Sequence, residues 1–287
     1  MGLGRRKVSL HDPSAWVFNR MAEVYDARPG YPDGLVAALG NLAVDASLDH
    51  GGDAAILDLG AGVGHLALPL AERGLRVTAV EPAVEMLAEL RRRAASRGLA
   101  ISTLHAAAEA MPVPAASQSL VVVADALHFL DAQHAAEEIA RVLRPGGALA
   151  VVTWSFDDTP FMRGVARAME AAVPRRPRAL ARAMVHLGAV TGVSLGRVRQ
   201  FHDQTPVSRE RLGAILRSIS FIGPAMNPAR FAAFRAEVHG LPEPPVWSRI
   251  FTLRWGHRLP SRRALLRALR TRARNSPEVG DPRREIS

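Results

Sequence analysis

Asp58, Gly60, Gly62, Gly64 and Glu81 are the residues of this chain whose types and spacing most directly imply chemistry. Asp58 closes the apolar run Ala55-Ile56-Leu57 and opens the turn Asp58-Leu59-Gly60-Ala61-Gly62-Val63-Gly64. Glycine lets backbone approach a ligand closely, because it has no Cβ and adopts positive φ without strain. Glu81 ends the next apolar run, Leu75 to Val80, and a carboxylate there can accept two hydrogen bonds from a ribose diol. Strand, glycine turn and acid-terminated strand make a pocket for a ligand with a polar tail and a ribose. A nicotinamide or flavin site is the rival reading. Its G-x-G-x-x-G pattern would need a third glycine where His65 stands.

A second group follows the continuous apolar run Leu120 to Ala124, which reads as a strand buried on both faces. That strand delivers Asp125, a candidate cofactor-binding residue, and His128 to the site. Imidazole is the side chain best suited to take a proton near neutral pH, so His128 is the candidate general base. Its alternative is a packing or lid residue. Trp154, at the end of the following strand, either flanks an acceptor or belongs to the core. The ten histidines are scattered without metal-ligand spacing, and no metal is expected. The absence of cysteine excludes disulfides, thiolate metal sites and covalent cysteine chemistry.

These residues need a scaffold, and the order of elements supplies one. Residues 53–156 alternate strand and helix, which predicts an α/β fold with a parallel sheet and right-handed crossovers. The expected architecture is a seven-stranded, mostly parallel, Rossmann-like sheet with helices on both faces and a helical lid. Residues 1–50 are assigned to N-terminal helices and lid, 51–260 to the ligand-binding domain, and 261–287 to a basic, disordered tail. A helical insertion over about 157–190, with the arginine cluster Arg175, Arg176 and Arg178, is expected to form one wall of an acceptor pocket. A strand near 196–201, helices over 208–219 and 227–238, and a last strand near 246–255 complete the sheet. In that last strand Phe251, Leu253 and Trp255 alternate as a half-buried strand should.

The glycine turn with its two acids resembles the class I S-adenosylmethionine-dependent methyltransferases. Further motifs carry the resemblance: Glu81-Pro82-Ala83-Val84-Glu85-Met86, Ala107-Ala108-Glu109-Ala110-Met111-Pro112-Val113-Pro114, and Arg141-Val142-Leu143-Arg144-Pro145-Gly146-Gly147 before a strand. Tyr25-Asp26-Ala27-Arg28-Pro29-Gly30-Tyr31-Pro32 matches an N-terminal pattern of many small-molecule members. The layout is similar to the quinone-biosynthesis and natural-product group and to trans-aconitate-type enzymes, which methylate a carboxylate. The resemblance implies S-adenosylmethionine as cofactor. It implies that Asp58 holds the methionine ammonium and that Pro82 and Met86 border the adenine, with Ala108 and Glu109 at its edge. Tyr25 and Arg28 would reach the methionine carboxylate from a lid, and Tyr31 would line the acceptor pocket. The plain alternatives are an ordinary helix-to-loop transition at Pro29 and Pro32, and core packing for Met86. Ser117-Gln118-Ser119 departs from the family's usual S-F-D, which should affect packing at the strand entrance.

The implied activity is methyl transfer to a small organic acceptor at an O, N or C centre. A binding scaffold that has lost methyl transfer is an alternative. An RNA-modifying enzyme using the basic tail is another. Net charge is +10 over 287 residues, but eight arginines against three acids fall within 261–287, so about half the excess sits in that tail. The fourth strand is followed by Asp125-Ala126-Leu127-His128 rather than the [N/D]-P-P-[Y/F] turn of nucleic-acid amino-methylating enzymes, so nucleic acid is not the expected partner. No apolar run approaches a membrane span, and no secretory pattern follows Met1 to Lys7. A cytoplasmic location is the expectation, with monomer and homodimer both open.

Overall fold

The structure, a computed structural model, describes residues 17–48, 51–173 and 180–259. The arginines expected to wall the acceptor pocket (175, 176 and 178) and the basic tail lie outside the described residues.

Seven strands form one sheet in the order β3-β2-β1-β4-β5-β7-β6. They are β1 (Ala55–Leu59), β2 (Arg76–Glu81), β3 (Ser102–His105), β4 (Gln118–Ala124), β5 (Leu143–Phe156), β6 (Arg197–Pro206) and β7 (Val246–His257). The first five run parallel, and β7 lies antiparallel to both β5 and β6. β6 and β7 pair antiparallel although α8 (Arg209–Arg217) and α9 (Pro228–His239) lie between them in the chain.

Continuous apolar sequence gives doubly buried strands because successive side chains point to opposite faces. Ile56, Leu120 and Val122 pack on one face with α2 (Asp33–Asp45) and α3 (Ala67–Glu72). Leu57, Val121 and Val123 pack on the other with α5 (Ala132–Val142) and α7 (Leu180–Thr191). A third core joins α6 (Pro160–Ala172), α8 and α9 around Trp247. The N-terminal segment, a 3-10 turn over Val17–Met21 and α1 (Ala22–Tyr25), sets Met21 against Val63, Ala83 and Met86 over the glycine turn.

Strand order reverses between β1 and β4, and in open α/β sheets the crevice outside the carboxyl ends at that point is where ligands bind. Arg141 and Arg144 hold its surroundings in place. The Arg141 guanidinium donates to the carbonyls of Val113 (2.6 Å) and Met111 (2.9 Å), tying down the loop after β3. Arg144 donates to the Asp53 carbonyl at 2.9 Å, at the entrance to β1. Ser119, in the stretch that departs from the family pattern, accepts from the Ala55 amide and donates to the Asp53 carbonyl.

Candidate functional site

A cavity opens at that reversal, beneath the N-terminal segment. Asp58 and Glu81, both buried, lie in its wall. Burial first, and then the Glu81 charge, raise the Asp58 pKa to about 7 against the opposing effect of the Ala67 amide. Its Oδ2 has no hydrogen-bond partner among the described residues. An unpartnered buried carboxylate oxygen is costly, so this geometry suits a cation. Glu81 is also lifted to about 7 by burial. Its two oxygens are pinned separately, Oε2 by the Gly62 amide at 2.8 Å and Oε1 by the Ala83 amide at 2.9 Å. Each oxygen keeps a second lone pair, as a ribose diol would require.

The three glycines of the turn do different work. Gly60 and Gly62 line the cavity with φ of +72° and +56°. A Cβ on Gly60 would meet that of Ala126 at 2.7 Å. Gly64, expected at the ligand, is not part of the lining. Its φ is +86°, and a Cβ there would press on Leu90 at 2.9 Å and Leu68 at 3.1 Å. Gly64 therefore serves the packing of the turn against α3 and α4 (Val84–Ser96).

Pro82, Met86, Ala108 and Glu109 all line this cavity, as the resemblance implied. Glu109 Oε1 also accepts from the Asp131 amide at 2.7 Å, which ties the loop to the start of α5. Tyr25 and Arg28 reach the cavity from the N-terminal segment. Arg28 donates to Tyr25 Oη at 3.0 Å and to Ser218 Oγ and O at 2.8 and 2.7 Å, so the segment is fastened to the end of α8. Tyr31, expected to line an acceptor pocket, lines the first cavity and not the one beside it. Its ring packs on Phe251 at 5.3 Å, and burial drives its hydroxyl pKa well up.

Arg249 and His65 also line the cavity, and neither was expected. Arg249 is 5% exposed; it donates to Asp203 Oδ2 at 2.6 and 3.1 Å and to the Gly30 carbonyl at 2.8 Å. A signal for it existed. It stands two residues before Phe251 and four before Leu253, on the buried phase of an alternating strand. His65 is half-buried, and its pKa falls to about 3 through desolvation and then the positive charges of Arg93, Arg28 and Arg249. It stays neutral and stacks on Tyr25.

A second cavity adjoins the first, and Phe18, Tyr25, Arg28, Asp125, Phe129 and Trp154 face both. Asp125 sits at φ +50°, an uncommon conformation that aspartate tolerates better than most residues. Its Oδ2 accepts from Trp154 Nε1 at 2.9 Å. His128 lies in the 3-10 turn Leu127–Phe129 and lines only the second cavity. Trp154 thus flanks the second cavity as well as packing on the core. No group of residues able to hold a metal ion occurs among the described residues. No helix among them is long and apolar enough to cross a membrane.

Residues 56–147 match a family model described as a methyltransferase domain. An uncharacterized methyltransferase of Mycobacterium tuberculosis is 46% identical over 103 residues, covering 36% of this chain and 40% of that protein. The chain thus spans well under half of the curated relatives that it matches most strongly. Among solved structures, a protein of Anaeromyxobacter dehalogenans described as a candidate type II methyltransferase superposes with a TM-score of 0.52. It is 21% identical, over 81% of this chain and 99% of that one. A geranyl diphosphate methyltransferase in complex with GPP and sinefungin gives 0.51 at 15% identity, over 89% and 100%. These two likenesses concern the fold.

Proposed function

We propose that this protein, whose residues 56–147 match a methyltransferase domain, is a class I methyltransferase that transfers a methyl group from S-adenosylmethionine to a small organic acceptor. The observation that carries the reading is the pair of buried acids, Asp58 with an unpartnered oxygen and Glu81 held by two amides, at one end of the first cavity. Asp58 takes the ammonium of the cofactor's amino acid tail, and Glu81 takes the ribose. Arg28 and Arg249 supply positive charge for the tail's carboxylate. Met86 and the Ala108–Glu109 loop border the adenine.

Bound there, the cofactor supplies an already activated methyl group on a sulfonium, so the protein's part is mostly placement and exclusion of water. The second cavity holds the acceptor against the shared wall. An acceptor that loses a proton on methylation passes it to His128 and then to solvent, leaving methylated acceptor and S-adenosylhomocysteine.

Calorimetric titration with S-adenosylhomocysteine tests the site. Asp58→Asn should weaken binding by about 10- to 100-fold, the range for losing one charged hydrogen bond of ~1.5–3 kcal/mol. Asp58 must be ionised to hold the ammonium, and its pKa is raised to about 7 in the free protein. Affinity should therefore drop as pH falls through 7, by about tenfold between pH 8 and 6 if one proton is taken up. The variant should show a shallower slope. Unchanged curves for Asp58→Asn and Glu81→Gln would remove this site from the reading.

A further inference from the structure

Arg28 lines both cavities, and the way it is held decides where it can act. A guanidinium is planar, with five N–H groups in a fixed fork, so fixing one edge of the plane fixes where the rest point. Ser218 takes one edge. Nε donates to Ser218 Oγ at 2.8 Å and Nη2 donates to the Ser218 carbonyl at 2.7 Å. Nη1 donates to Tyr25 Oη at 3.0 Å, and the guanidinium carbon lies 4.3 Å from the centre of the Tyr25 ring. These bonds leave one N–H of Nη1 and one of Nη2 for a ligand.

Ser218 is fully buried and stands at the C-cap of α8, 190 residues from Arg28 along the chain. Its carbonyl is at the negative end of that helix, where a cation is favoured. Its hydroxyl donates to the Ile215 carbonyl at 2.6 Å, which leaves the oxygen lone pairs to Arg28. Ser218 itself lines neither cavity, so what it does for a ligand it does through Arg28. The charges of Arg28 and Arg249 both bear on His65, which lines the first cavity and not the second. The clamped charge therefore reaches the cofactor's side of the boundary.

We propose that Ser218 is a positioning residue for the cofactor: it aims the remaining N–H pair of Arg28 at the carboxylate of the amino acid tail. It thereby helps the protein to tell S-adenosylmethionine from nucleosides that lack this tail. The inference rests on the reading above. Ile219, Ser220 and Phe221, which follow directly, line the second cavity, so one short stretch both aims the cofactor's anchor and walls the neighbouring space.

Calorimetry with S-adenosylhomocysteine and with 5′-methylthioadenosine, which keeps the nucleoside and thioether but has no amino acid tail, reads the role. The wild-type protein should prefer S-adenosylhomocysteine. Ser218→Ala should cut that preference by about 3- to 10-fold, the worth of one ordinary hydrogen bond, and leave methylthioadenosine affinity where it was. Arg28→Ala should cut it further, and Ser218→Ala added to Arg28→Ala should change nothing more. Arg28→Lys keeps the charge but loses the planar edge, so it too should cut the preference, and it decides the matter should Ser218→Ala not fold. The inference is overturned if Ser218→Ala weakens both ligands alike, if it weakens neither, if the two alanine changes add, or if Arg28→Lys keeps the full preference. Each of those results leaves the cofactor site standing. A wild-type protein that binds neither ligand removes the methyltransferase reading, and this inference with it.

Discussion

Asp58, Glu81 and Asp125, three of the four acids among the described residues that line the central crevice, have different environments, and the differences come from what each one touches. Asp58 has a buried oxygen with no partner, Glu81 has both oxygens on backbone amides, and Asp125 is held by an indole N–H. Only the first is short of hydrogen bonds, which is why a cation belongs there. His128 differs again, lining only the second cavity beside the Phe129 ring. If it accepts the acceptor's proton, His128→Ala should lower turnover by about 10²–10⁴-fold, the usual contribution of a general base, and remove the acidic limb of the pH–rate profile. Steady-state rates between pH 5.5 and 9 check this, and an unaltered profile assigns the residue to packing.

At the scale of elements, two buried or half-buried arginines help to fasten the N-terminal segment. Arg28 anchors it to the end of α8, and Arg249 of β7 holds the Gly30 carbonyl. Arg249 pairs with Asp203 directly across the β6–β7 register. Removing one partner of a buried pair strands the other charge, whereas replacing both leaves none to desolvate. Asp203→Ala should therefore cost about 3–5 kcal/mol in urea unfolding. The double change Asp203→Leu with Arg249→Met should cost distinctly less. Additive losses in the cycle would mean that the pair is not coupled.

At the scale of the molecule, the two cavities lie side by side along the carboxyl ends of the parallel strands. The sheet cores back the first, and residues of the third core, such as Met169 and Ile219, line the second. Ligand in the first cavity touches β1, β2 and the N-terminal segment together, so its binding energy should be felt by the whole fold. S-adenosylhomocysteine at about 100 times its Kd should stabilise the protein by ~2.7 kcal/mol, raising Tm by about 5–10 °C for a chain of this size. Scanning calorimetry across ligand concentrations is the check, and a Tm that stays fixed would contradict binding at the centre of the fold.

Much of this was legible in the sequence because it is written locally. Apolar runs ending in Asp58 and Glu81, glycines two apart, and an alternating last strand each specify short-range geometry, so the strands and the two acids at their ends were legible, whereas the strand order came from the structure. The boundaries moved by only a few residues, as with β6, which extends to Pro206 rather than ending near Phe201. What only tertiary structure decided is which groups meet. Gly64 became a packing residue because Leu68 and Leu90 crowd it, and Tyr31 turned to Phe251 and away from the second cavity. Arg249 reached Gly30 and Asp203 across long stretches of chain. Periodicity tells which face a side chain takes, but burial and pairing between distant segments depend on the packed whole, where desolvation sets the charge that each group can carry.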